Sequence, residues 1–203
     1  MATEPGKGSR PTFVSADNEN IIVDLNLNTE NRGSDITSHE LAVSTDGLTY
    51  TTLISYDGTS SSYTLNQLID GLTSGQIYRI RLRALNAIGA GEWSSDLLAA
   101  MTAPPIAPAM PVKDVALSTK TSIAFDWVSS SDNPGADGGR VLGYRVYKAK
   151  DLAGSDVLVY DAKELRTLTS YVVDDLTTGT FYRFKVSAYN FNGEGEMSDA
   201  LET

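Results

Sequence analysis

One histidine, His39, stands in the 203-residue chain, and there is no cysteine. An imidazole zinc centre or a Ser/His/Asp relay would have to use that single ring. His39 lies in an alternating strand pattern with no nucleophile near it, so packing is its expected role. No His-Glu-x-x-His, Gly-x-Ser-x-Gly or phosphate-loop pattern occurs. Gly89-x-Gly91 and Gly193-x-Gly195 fall between two strand patterns and not ahead of a helix. They read as turns, with positive φ expected at Gly89 and Gly91, and not as phosphate cradles.

Oxygen and charge chemistry are the remaining options. The run Asp132-Asn133-Pro134-Gly135-Ala136-Asp137-Gly138-Gly139 could offer Asp132 and Asp137 to calcium. Its acid count and spacing fall short of a calcium loop, and the same residues are ordinary turn formers. No metal and no cofactor is expected. Arg79, Arg81 and Arg83 alternate, which puts three guanidinium groups on one strand face, and Arg183 and Lys185 stand at matching places later. In a chain of net charge −10 this stripe is a candidate docking face for an acidic protein partner or a polyanion. The alternative is cross-strand pairing with acids such as Glu40, with the Arg stems packed along the sheet.

The elements that carry these residues occur twice. Leu72, Tyr78, Ala84, Asn86, Gly91 and Ser94 recur as Leu176, Tyr182, Ala188, Asn190, Gly195 and Ser198, each 104 residues on. A repeat this long is a duplicated domain. In the first copy Ile21, Val23, Leu25 and Leu27 alternate as a half-buried strand. A strand through His39, Leu41 and Val43 follows, then an Asp46-Gly47 hairpin turn with positive φ at both positions. A return strand is expected over 48–54 and another over 63–69. Tyr78, Ile80, Leu82 and Ala84 face one way and the arginines the other. Seven short strands per copy, with no helical periodicity, indicate an all-β sandwich.

The bulk numbers agree. The length suits two domains of about 100 residues each. Hydrophobic residues make up 41% and charged residues 21%, the mix of a folded soluble chain. No apolar run reaches the ~20 residues of a spanning helix, so no membrane insertion is expected of this segment. The acidic balance argues against nucleic acid. Neither a disulfide framework nor an Asn-x-Ser/Thr acceptor is present. Four of the seven prolines lie in APPIAPAMP at 103–111, a stretch unsuited to a sheet interior. The expected organisation is a flexible leader at 1–10, a first repeat at 11–102, a Pro-rich linker at 103–111 and a second repeat at 112–203. That second repeat stops within its last strand, as in a monomeric piece cut from a longer array.

These positions resemble tandem fibronectin type III domains, each an immunoglobulin-like seven-stranded sandwich. The family places a Trp on its second strand, matched by Trp127, and a Tyr-x-Val on its third, matched by Tyr144 and Val146. A turn into the sixth strand is matched by Leu176, Thr180 and Tyr182. The Ala-x-Asn-x-x-Gly-x-Gly-x-x-Ser tail is matched by Ala188, Asn190, Gly193, Gly195 and Ser198. The first copy has Leu25 for the Trp and His39 for the Tyr but keeps Leu72, Tyr78 and the tail. The resemblance implies structural core roles for Trp127, Tyr144, Leu72, Leu176 and the two corner tyrosines, Tyr78 and Tyr182. It also implies a non-catalytic spacer and protein-binding segment of a larger extracellular or cell-surface protein. A titin-like cytoplasmic scaffold and an accessory piece of a secreted carbohydrate-active enzyme are the alternatives.

Overall fold

The computed structural model describes residues 1–133 and 137–203. It divides into two compact units, one of Met1–Ala103 with Asp137–Gly139 and a second built from Pro104–Asn133 and Arg140–Thr203. The first holds β1 (Thr12–Ala16), β2 (Asn20–Asp24), β3 (Ile36–Ser44), β4 (Thr51–Thr52), β5 (Ser62–Asn66), β6 (Ile77–Asn86) and β7 (Leu97–Ala100). They form two antiparallel sheets, β1-β2-β5 and β4-β3-β6-β7. The second holds β8 (Val112–Asp114), β9 (Ile123–Asp126), β10 (Gly143–Lys150), β11 (Val157–Ala162), β12 (Ser170–Val173), β13 (Tyr182–Asn190), β14 (Gly193–Met197) and β15 (Leu201–Glu202). Its sheets are β8-β9-β12 and β11-β10-β13, with β14 and β15 both paired to β13. Among the described residues the one helical element is a 3₁₀ turn, Asp137–Gly139. None is a helix long and apolar enough to cross a membrane. The chain is therefore all-β, two sandwiches in sequence.

Each unit has its own core. Alternation on β6 buries Tyr78, Ile80, Leu82 and Ala84 against Ile21, Val23, Leu25, Leu41 and Leu65. In the second unit Phe184, Val186 and Ala188 meet Phe125, Trp127, Tyr144 and Val146. The first core is aliphatic where the second is aromatic. Phe125 lies 5.2 Å from Phe184, and Trp127 sits edge-on to Tyr144 at 5.6 Å between ring centroids. Leu25 nevertheless holds the place of Trp127. The Leu25 N–H donates to Ser61 at 2.7 Å and that of Trp127 to Thr169 at 2.9 Å. The repeated serines do one job twice. Ser94 Oγ accepts the Leu82 N–H at 3.1 Å, and Ser198 Oγ accepts the Val186 N–H at 3.0 Å, patching the ladder where the last strand begins.

Several local expectations change. The return strand over 48–54 shrinks to Thr51–Thr52, because the Asp46 carboxylate takes the N–H groups of Leu48 and Thr49. Only Gly47 of that turn has positive φ, 76°. The strand over 63–69 ends at Asn66, whose side chain captures the N–H groups of Leu68 and Ile69. Such side-chain capture competes with sheet pairing. Gly89 and Gly91 do not have positive φ; in the second copy Gly193 does, at 132°.

The leader and the linker also look different from their sequence. Thr3, Gly6 and Gly8 donate backbone hydrogen bonds to Arg32, Glu30 and Glu92, and Asn86 donates to the Thr3 carbonyl at 2.8 Å. Pro5, Gly8 and Pro11 are buried, as are Pro105, Pro108 and Pro111. Pro105, Pro108 and Pro111 fall at every third residue, the period of a polyproline helix, while the buried Gly6 interrupts that spacing in the first stretch. Both stretches are straps laid on their own unit. The chemistry of proline explains why the second reads as a linker: it cannot donate, so it docks by packing.

Candidate functional site

The arginine stripe is placed as its alternation requires, on the face of β6 turned away from the core. Its charges are met within the unit. Arg83 Nε lies 2.6 Å from Glu40 Oε2 across the β3–β6 pair. Arg79 lies 3.6 Å from Asp96, which also accepts the Tyr50 hydroxyl at 2.6 Å. The Arg81 guanidinium sits 3.4 Å from the Tyr50 ring centroid and 4.3 Å from that of Trp93, and Arg83 covers Trp93 at 4.4 Å. Tyr50, Arg81, Trp93 and Arg83 thus form one stack with an acid at each end. Cation–π contacts at such half-exposed sites contribute about 0.5–1 kcal/mol each. In the second unit Arg183 donates to the Gly154 carbonyl at 2.8 Å and Lys185 to Asp156 at 2.8 Å.

His39 Nδ1 lies 3.3 Å from the Gly58 carbonyl. The cavity beside it, lined by Leu27, Ile36 and Gly58 among others, is ≈ 150 Å³, below the ~300 Å³ at which ligand pockets start. Asp132 ties its loop down: Oδ1 accepts the Val141 N–H at 2.7 Å, and Oδ2 lies 3.3 Å from Arg166. Asp137 opens the 3₁₀ turn. The middle of the proposed calcium loop, 134–136, lies outside the described residues. Among those described, no group of three or more His, Cys, Asp or Glu is placed to hold a metal ion.

The two corner tyrosines make the same bond. The Tyr78 hydroxyl accepts the Thr73 N–H at 2.7 Å, and the Tyr182 hydroxyl that of Thr177 at 3.1 Å. That bond lowers the pKa of Tyr182, since it favours the phenolate. Leu72 and Leu176 are buried one residue before these donors.

Sequence reasoning missed a polar hub in the second unit. Glu194 on β14 accepts from Arg145 at 2.7 Å and from the hydroxyls of Tyr147 and Ser187. Arg145 also reaches Asp161 at 3.2 Å. Burial pushes the Glu194 carboxyl up, but the three donors outweigh it and hold it below the ordinary value. Burial, then the bond to Glu194, pushes the Tyr147 phenol up to about 12. The signal was faint: Glu194 sits in a glycine-rich tail that reads as a turn. The Tyr50–Trp93 stack was likewise legible only in Trp93 standing near the stripe.

Comparisons with known proteins match this geometry. Residues 111–203 fit the family model of the fibronectin type III domain. Human Myomesin-2 is 33% identical over 142 residues, 66% of this chain and 9% of that protein. Human Neogenin is 27% identical over 144 residues, 70% of this chain and 10% of that protein. The chain thus spans about a tenth of the length of these relatives. The crystal structure of chicken CNTN1 FN1-FN3 domains has a TM-score of 0.54 at 19% identity, covering 99% of this chain and 68% of that one. At that identity it speaks for the fold. Residues 111–203 are thus a fibronectin type III domain, and Met1–Ala103 repeats the strand order and corner tyrosine of that matched half.

Proposed function

We propose that the chain is a non-catalytic segment of a longer protein, which spaces the parts on either side and offers surfaces to protein partners. The observation that carries this is how the reactive residue types are used. His39 faces a backbone carbonyl in a small cavity. Asp132 ties down a loop and Glu194 ties strands together. Gly91 and Gly195 make room for a passing backbone, with Pro5 beside the one and Pro105 beside the other. Each serves the sandwich, and none is set beside a second reactive group in a ligand-sized pocket.

The cell surface is the setting we propose, in line with Neogenin. The match to Myomesin-2, the more identical of the two, favours an intracellular muscle-type scaffold as the second reading. Both readings require a chain that bears tension as separate folded beads. Stretching the full chain between two handles tests this. Two discrete unfolding events of similar contour length are expected. Smooth extension with no discrete event would remove the spacer reading.

A further inference from the structure

The two repeats differ at the end of the sandwich that holds the corner tyrosines. Val43 pairs with Ile80 and Lys148 with Phe184. Ile80 and Phe184 each stand two residues after their tyrosine, so Val43 and Lys148 are equivalent positions. Val43 is buried in the first core, so its position turns inward. Lys148 starts from the same position, and its ammonium nitrogen lies 5.9 Å from the centroid of the Tyr182 ring. The second unit therefore sets its own lysine beside its own corner tyrosine.

In the first unit the shorter Val43 leaves that place open. A cleft of ≈ 430 Å³ lies there, lined among others by Val43, Asp46, Asp70, Leu72, Thr73 and Tyr78. That volume falls in the range of ligand pockets. No Lys, Arg or His lines it, and two carboxylates do. Asp46 accepts from the Thr49 and Leu48 N–H groups and the Ser44 hydroxyl, which holds its carboxyl below the ordinary value. All three bonds fall on Oδ1, so Oδ2 keeps its accepting capacity. Asp70 is engaged by Ser55, Tyr63 and the Asn66 N–H. Arg79 packs against Gly47 but belongs to the outer face of β6, paired with Asp96.

We propose that this cleft binds a primary alkylammonium group, the lysine side chain of a protein partner, as Lys148 occupies the equivalent place in the second repeat. The apolar stem would run along Val43 and Leu72. The charge would meet Asp46 and the Tyr78 ring, an arrangement in which a cation is held by a carboxylate and an aromatic face together. The inference rests on the interaction role proposed above and supplies the chemistry of one partner group. It also reverses the charge of the partner that the arginine stripe suggested.

The test is a backbone-amide NMR titration of the full chain with N-acetyl-lysine methylamide. N-acetyl-norleucine methylamide, with the same stem and no charge, is the control. Saturable shifts at residues 43–49 and 70–73 are expected with the lysine probe alone. Asp46→Asn keeps the Oδ1 acceptor and should weaken binding about tenfold, the scale of one charged contact. Val43→Lys should abolish it by filling the cleft. Lys148→Val should open a second site, with new shifts around Leu176 and Tyr182, so the proposal stays testable even where Val43→Lys fails to fold. No saturable shift, an equal response to norleucine, or full affinity in Asp46→Asn would overturn it. Any of these in a chain that still unfolds in two events refutes the cleft and leaves the spacer role standing.

Discussion

The carbonyl oxygen of Pro105 stands 1.9 Å from where a Cβ on Gly195 would lie. The same relation holds in the first repeat, where a Cβ on Gly91 would meet the Pro5 carbonyl at 2.7 Å. Neither glycine has positive φ, so it is close approach of a strap and not turn conformation that requires them. Gly195→Ala should push the 104–111 strap outward and lower stability by about 1–3 kcal/mol, as overpacking does. The loss should exceed that of Gly91→Ala. Urea unfolding followed by Trp127 fluorescence reads the first variant, and Trp93 reads the second. Equal and negligible losses would mean that the straps are not docked.

The corner tyrosine of the first repeat holds the Thr73 N–H at 2.7 Å. Tyr78→Phe keeps the ring and removes the acceptor. A loss of about 1 kcal/mol is expected, the net worth of one hydrogen bond. Tyr182→Phe should act in the same direction. An unchanged unfolding midpoint in Tyr78→Phe would show the bond to be idle.

Glu194 gives the second unit an acid-sensitive clamp. Its carboxyl is depressed in the fold, so the stability it adds is present above the unfolded value of about 4.3. That stability is lost as pH falls through the lower folded value. Glu194→Gln should therefore be less stable at neutral pH and show a shallower acid loss in the second unit. Tyr147 works in the opposite direction. Its folded value of about 12 means that its contribution is complete below the unfolded value of about 10 and fades above it. Tyr147→Phe should flatten that alkaline arm. Stability measured against pH in both variants decides whether the clamp carries the sensitivity.

The arginine stack should matter to the fold and not to polyanions. Arg81 lies between Tyr50 and Trp93. Arg81→Ala should cost about 1 kcal/mol and alter Trp93 emission, with retention on a polyanion column unchanged. Lost retention at unchanged stability would restore the stripe as a docking face.

Period-two alternation and the 104-residue repeat were enough to read the core face of β6, the equivalence of Tyr78 with Tyr182 and the presence of the strands, but not the extent of β4 and β5. What sequence hid lies in contacts that period-two alternation does not encode, some local and some between segments distant in sequence. Asp46 and Asn66 take N–H groups that alternation assigned to strands. Glycine at 91 and 195 answers to a strap about 90 residues away along the chain, which local turn rules cannot register. Alternation located the arginines correctly. It could not show that Trp93, Tyr50 and the acids would meet them, because those partners come from β3, the hairpin and the tail. Strand register sets Lys148 opposite Phe184, a relation that residue type alone does not carry.

The most direct measurement is hydrogen exchange across the full chain with Leu82→Ala, which truncates a side chain wholly buried in the first core. Such a change removes about 2–5 kcal/mol. If the chain is two self-sufficient sandwiches, amides of β6 exchange faster by that amount while those of β13 keep their protection. Equal acceleration in β6 and β13 would show a single cooperative body and contradict the tandem reading.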